Sequence, residues 1–140
     1  MTDVLIAKQQ SLERCLARVR HAWEQPSTLA FERDYDRQDI IALNLQRACE
    51  QALDMANHVV AARKLGWPRT SAESFDLLER AGLVTAALAG QMKAMVGLRN
   101  VVVHQYQDLD LEIVTSVVQE HLDDLSDFAR TMVGLYEGPS

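Results

Sequence analysis

The clearest regularity along the chain runs through Ile41, Leu45, Ala48, Ala52, Met55, Val59 and Ala62, apolar positions that step by three and four residues. That period puts them on one stripe of a helix. It predicts a long core helix over about 38 to 64, with Gly66-Trp67-Pro68 directly behind it as a stop signal. Leu5, Leu12, Leu16, Val19 and Trp23 repeat the pattern and predict an amphipathic helix of about twenty residues that ends before Pro26. Gln25 to Asp36 has mixed charge and no clean period, so it reads as a connection with room for a short turn of helix.

Beyond Pro68, Thr70-Ser71-Ala72-Glu73 fits a capping box, the hydroxyl meeting a free backbone N–H while Glu73 reaches back. A short helix through Phe75, Leu77 and Leu78 follows, and Gly82 ends it. From Leu83 a further stripe runs through Val84, Ala87, Leu88, Met92, Met95 and Val96 into Val101-Val102-Val103, β-branched residues that a helix keeps only where packing holds them. A last helix starts near Asp108 or Asp110, either of which is a capping residue, and carries Ile113, Val117, Leu122, Leu125, Phe128, Met132 and Leu135. The tail, 137–140, reads as frayed. With no internal repeat and no alternating strand pattern, the expectation is all-α: an up-and-down bundle of about five helices in one domain over 1–140.

The chain has 140 residues, 48% apolar and 24% charged, the balance of a globular domain with enough mass for its own core. Its start carries no basic n-region, and the apolar run Val4-Leu5-Ile6-Ala7 is too short for a signal or anchor, so a cytoplasmic protein is expected. Cys15 and Cys49 lie in helical segments without a CxxC partner and are expected to be buried, reduced thiols. A net charge of −6 argues against broad adhesion to nucleic acid, which needs many clustered cations, though not against a local basic cleft. Arg14, Arg18 and Arg20 mark the N-terminal third, with Lys64 and Arg69 further on, while Asp108 to Asp127 is strongly acidic. Charge is therefore segregated, and either pole is available to a partner.

No glycine-rich phosphate loop, HExxH or cysteine pair occurs, so no metal and no cofactor is expected. One polar cluster remains: Arg99, Asn100, His104 and Tyr106, set among Met95, Val96, Leu98 and the three valines. On an unbroken helix Arg99 and Tyr106 share a face, Asn100 and His104 share another, and Arg99 and His104 point about 140° apart. Either the helix ends inside this segment or an Arg–His pair is completed by a second copy of the chain. Spacing alone does not separate these from a plain helix end that caps its carbonyls.

The segment Arg99-Asn100-Val101-Val102-Val103-His104-Gln105-Tyr106, led in by Met95-Val96-Gly97-Leu98, resembles the Arg-x4-His-x-Tyr signature of HepT proteins of the HEPN superfamily. Asn44-Leu45-Gln46-Arg47-Ala48-Cys49-Glu50 through Asp54-Met55-Ala56-Asn57-His58, then Gly66-Trp67-Pro68 and Glu73-Ser74-Phe75-Asp76-Leu77-Leu78, are similar to the family in the same order, so the likeness spans 36–125. The resemblance implies a HEPN-like homodimer, the toxin of a toxin-antitoxin system and a metal-independent endoribonuclease. In it, Arg99 and His104 are catalytic and Asn100 orients substrate or His104; on the core helix, Asp54 is a candidate to reach the cleft and orient Arg99. A histidine, with an ordinary pKa of about 6.5, can take a proton from a ribose 2′-hydroxyl or give one to the departing 5′-oxygen. An arginine fork can hold the phosphate as it gains negative charge. The resemblance further implies a nucleotidyltransferase antitoxin, MntA, that transfers AMP to Tyr106 and blocks the phosphate site by charge and bulk.

The alternative is a non-catalytic HEPN-type dimer that binds nucleotides or its partner, against which stands the intact Arg99, His104 and Tyr106 set. His21 and His58 read as surface or interface histidines. His121, beside Asp123 and Asp124, reads as part of a solvated face.

Overall fold

The stripe through Leu5, Leu12 and Val19 meets the stripe through Ile41, Ala48 and Met55, and together they form the centre of the core. The computed structural model describes the backbone of residues 2–104 and 111–136, and the side chains of 3–97 and 111–136. Helix α1 (Thr2–Glu24) and helix α2 (Tyr35–Ala62) run antiparallel, with Lys8 beside Asp54 at one end and the Ala22 and Trp23 carbonyls beside Arg37 at the other. Then come α3 (Ser71–Arg80), α4 (Ala86–His104), α5 (Leu111–Glu120) and α6 (Leu122–Gly134). All six contribute to one apolar cluster, and among the described residues there is no strand. The all-helical bundle expected from the periodicity is the observed fold, with six α-helices in place of about five.

The connection between α1 and α2 is tied down by Arg37. Its Nε donates to the Ala22 carbonyl at 2.9 Å and its Nη2 to the Trp23 carbonyl at 2.7 Å, satisfying acceptors that the end of α1 leaves open. The same guanidinium lies 5.5 Å from the Trp23 ring centroid and 5.4 Å from that of Phe31. Asp34 caps α2, accepting from the Arg37 N–H at 3.2 Å and from Ser27 Oγ at 2.8 Å. This cap starts α2 at Tyr35, three residues ahead of the expected 38, and the short turn in the connection is the 3-10 turn Phe31–Arg33.

The stop signal of α2 lies earlier than Gly66. Lys64 takes φ +54°, its N–H donates to the Ala61 carbonyl at 3.2 Å, and the Leu65 N–H donates to the Val60 carbonyl at 3.0 Å. This paired closure ends α2 at Ala62. The same closure ends α3, where Gly82, at φ +74°, donates to Glu79 at 2.9 Å and Leu83 to Leu78 at 3.0 Å. One helix thus ends on the residue type that suits a left-handed backbone, and the other on a lysine that does not.

The capping box holds in a modified form. Thr70 Oγ1 accepts from the Glu73 N–H at 3.2 Å, while Glu73 reaches back to the N–H of Arg69 at 3.1 Å. The fourth helix does not start at Leu83. Thr85 Oγ1 accepts from the Leu88 N–H at 3.1 Å, so the helix opens at Ala86 and leaves Ala87 exposed; its buried line is Ala89, Met92, Met95 and Val96. The expected last helix is two. The chain breaks at His121 (φ −124°, ψ 0°), whose Nδ1 sits 3.0 Å from Asp124 Oδ2 and whose side chain stays partly exposed. The buried line of α5 is Val114, Val117 and Val118, with Ile113 exposed. The caps at Asp108 or Asp110 and the tail 137–140 lie outside the described residues.

Phe75 of α3 and Phe128 of α6 meet edge to face, centroids 5.4 Å apart, and both are fully buried. Each such side chain contributes about 1.5–3 kcal/mol on removal from water. Cys15 and Cys49 are both buried, and neither is in a disulfide among the described residues. No described helix is long and apolar enough to cross a membrane.

Because a left-handed non-glycine residue costs about 1–2 kcal/mol, Lys64→Gly should raise stability by about 0.5–1 kcal/mol. Nothing lies within 4 Å of a Cβ added at Gly82, so Gly82→Ala should cost about 1 kcal/mol of backbone strain alone. Urea unfolding midpoints at constant slope measure both, and shifts of the same sign for the two variants would contradict the assignment.

Candidate active site

Positions 99, 100 and 104 lie on α4, and what holds α4 is its middle. Met92, Met95 and Val96 are at most 4% exposed and pack into the common core. The Cys49 thiol of α2 donates to the Met95 carbonyl at 3.5 Å, fixing the height of one helix against the other. On the α3 side, Lys93 Nζ meets Asp76 Oδ1 at 2.8 Å, a contact that raises the Lys93 pKa through its hydrogen bond and then through the carboxylate charge. Neither tie was found from the sequence. The signal for the second was an acid and a base on the half-exposed flanks of two helices joined by a short link.

Helix α4 continues without a break through positions 99, 100 and 104. Of the two arrangements left open by the sequence, an end of the helix inside the segment 99–106 stays open: the helix reaches His104, and positions 105 and 106 lie outside the described residues. Helical register then separates the two positions. Position 99 is seven residues past Met92 and four past Met95, on the line that packs into the core; position 104 is seven past Gly97 and fourteen past Gly90, on the exposed line. They stand about 140° apart around the axis and about 7.5 Å apart along it. The exposed line is made of small residues, Ala87, Gly90, Ala94 and Gly97, and nothing lies within 4 Å of a Cβ built on either glycine. The side chains of Arg99, Asn100 and His104, and Tyr106 as a whole, lie outside the described residues.

Asp54 is on α2 with its carboxylate half exposed, and it receives Lys8 Nζ at 3.3 Å across the α1–α2 seam. Asn57, its neighbour in the sequence motif, accepts a hydrogen bond from Ser74 Oγ and so ties α2 to α3. His58 is half-buried, and its Nε2 has no hydrogen-bond partner among the described residues. His21 is at the surface, its Nε2 2.9 Å from the Gln25 amide.

Comparison with known proteins gives the chain a family. The model of a family described as ribonuclease HepT-like matches residues 12–132. A protein of Shewanella oneidensis named mRNA nuclease HepT is 44% identical over 128 residues, 91% of this chain and 95% of that protein. A protein of Aphanizomenon flos-aquae named tRNA nuclease HepT is 34% identical over 76 residues, 54% of this chain and 52% of its own length. Among solved structures, the tri-AMPylated Shewanella oneidensis HEPN toxin in complex with its MNT antitoxin superimposes with a TM-score of 0.87 at 42% identity, covering 94% of this chain and 98% of that one. The all-helical arrangement of the described residues agrees with that superposition. The chain belongs to the ribonuclease HepT-like family.

Proposed function

We propose that this chain is the toxin of a cytoplasmic toxin-antitoxin pair, an endoribonuclease that works as a homodimer and is silenced when an MntA-type nucleotidyltransferase transfers AMP to Tyr106. The observation that carries the reading is the 44% identity to a named mRNA nuclease across nine-tenths of the chain. The same kind of fold occurs in a toxin that bears AMP groups and is bound to its antitoxin.

In this reading His104 accepts the proton of a ribose 2′-hydroxyl. The freed oxygen attacks the adjacent phosphorus, the bond to the 5′-oxygen breaks, and a histidine returns a proton to that leaving group. The products are a 2′,3′-cyclic phosphate and a 5′-hydroxyl, so the reaction is confined to RNA. Arg99 holds the phosphate oxygens and stabilises the charge that builds on them, and Asn100 orients substrate or His104. Two features support a site shared between copies. Helix α4 does not end between positions 99 and 104, and the exposed row Ala87, Gly90, Ala94 and Gly97 lets a second backbone approach closely on the side where position 104 lies. Asp54 supports Arg99 from α2, and an AMP group on Tyr106 would fill the phosphate site with charge of the wrong sign.

His104→Ala should leave the helical signal and melting unchanged while lowering cleavage by about 10²–10⁴-fold; cleavage at the parent rate would remove His104 from the mechanism. Incubation with the antitoxin and ATP should add AMP masses that Tyr106→Phe abolishes, and a gain that survives the substitution puts the acceptor elsewhere. Asp54 is half exposed and paired with Lys8 alone among the described residues, so Asp54→Ala should change stability by less than about 1 kcal/mol. Cleavage should nevertheless fall, and unchanged cleavage would confine Asp54 to the Lys8 contact.

A further inference from the structure

Arg14 and Arg18 stand one turn apart on α1, and Arg47 faces them from α2. With Ser11, Gln51 and the rim of Cys15 they line a groove of about 330 Å³ along the α1–α2 seam. The seam is in register over its length. Lys8 meets Asp54, Ser11 and Gln51 line the next turn, and the three arginines follow. From Ser11 to Arg18 the groove covers about 10 Å of helix.

All three arginines are exposed, and among the described residues none has a carboxylate within 4.0 Å. Of the acids on the flanking turns, Asp54 is engaged with Lys8 and Glu50 accepts from the Gln46 amide, while Glu13 precedes Arg14 on α1. Burial pushes the Cys15 thiol up, and the charges of Arg47, Arg18 and Arg14, in that order, pull it back in part, as expected of three cations converging on one spot. Three like charges gathered with no ion-pair partner among the described residues oppose folding. Neither the core nor any described hydrogen bond uses them.

Resting on the reading of the chain as an RNA-cutting enzyme, we infer that the Arg14–Arg18–Arg47 groove binds the phosphate backbone of the RNA substrate at a distance from the bond that is cut. Guanidinium forks grip phosphate oxygens two at a time, and Ser11 and Gln51 add neutral donors on the same wall. An acidic protein segment is the less favoured occupant. A protein interface centres on an apolar anchor, and this groove is lined mostly by polar atoms, unlike the other grooves described on the surface. Contacts of this kind read no bases, so the groove adds affinity and salt dependence and no sequence preference.

The test compares the parent protein with a triple Arg14→Gln, Arg18→Gln, Arg47→Gln variant and a triple lysine variant, all melted to verify folding. The probe is a short 2′-O-methyl oligoribonucleotide, which lacks the attacking hydroxyl and is bound without being cut. The glutamine variant should bind at least about tenfold more weakly at low salt. Its slope of log affinity against log salt should shrink by about two, three phosphates at roughly 0.7 each. The lysine variant should keep the slope, and on cleavable RNA the glutamine variant should show a raised KM with kcat unchanged. An unchanged salt slope overturns the groove, as does unchanged RNA binding with lost binding of the antitoxin. If the parent protein itself neither binds the probe nor cuts RNA, it is the nuclease reading that fails.

Discussion

The seating of α4 against α2 is the constraint on which the rest of the molecule depends. Met92, Met95 and Val96 enter the core in one line, and the Cys49–Met95 contact sets the height at which they do so. Because the helix runs on unbroken to His104, positions 99 and 104 are carried as rigid extensions of that packed segment. A site built on a packed helix is held more tightly than one on a loop, and phosphoryl chemistry that relies on placement and charge needs that precision. The same rigidity imposes a limit. Two positions five residues apart on one straight helix face different ways, so a single copy of the chain has no simple means of bringing both to one phosphate.

Much of the fold was legible because the core helices obey one period. Ile41 through Val59 are buried in the order the stripe predicts, and so are Leu5, Leu12, Leu16 and Val19. What periodicity misses is local chemistry at the joints. Lys64 closes α2 in a conformation that composition assigns to glycine, Thr85 delays the start of α4 and exposes Ala87, and His121 divides one apolar run into two helices by bonding Asp124. Each is a hydrogen bond overriding a hydrophobic pattern, and none leaves a mark in the spacing of apolar residues. Of the candidate site, the motif offers residue types at 99–106, and their side chains lie outside the described residues. The partners that seat α4 were not legible, because Asp76, Lys93 and Cys49 reach it from separate helices.

Net charge says nothing of how the charges are distributed over the folded chain. A value of −6 averages an acidic C-terminal third with a basic seam that exists only once α1 and α2 are antiparallel. Arg47 sits 29 residues from Arg18 in sequence yet lines the same groove. Fold topology, more than composition, decides where an acidic protein presents cations to a polyanion.

In the proposed mechanism Arg99 of one copy and His104 of another act on the same phosphate, and mixing two inactive variants is the direct test. Arg99→Ala and His104→Ala chains, unfolded together and refolded, should form dimers in which one of the two composite sites keeps both groups. With half of the dimers mixed and half of their sites intact, the account predicts recovery of about one quarter of the parent cleavage rate. Cleavage no higher than that of either variant alone, with mixed dimers demonstrably present, would contradict it.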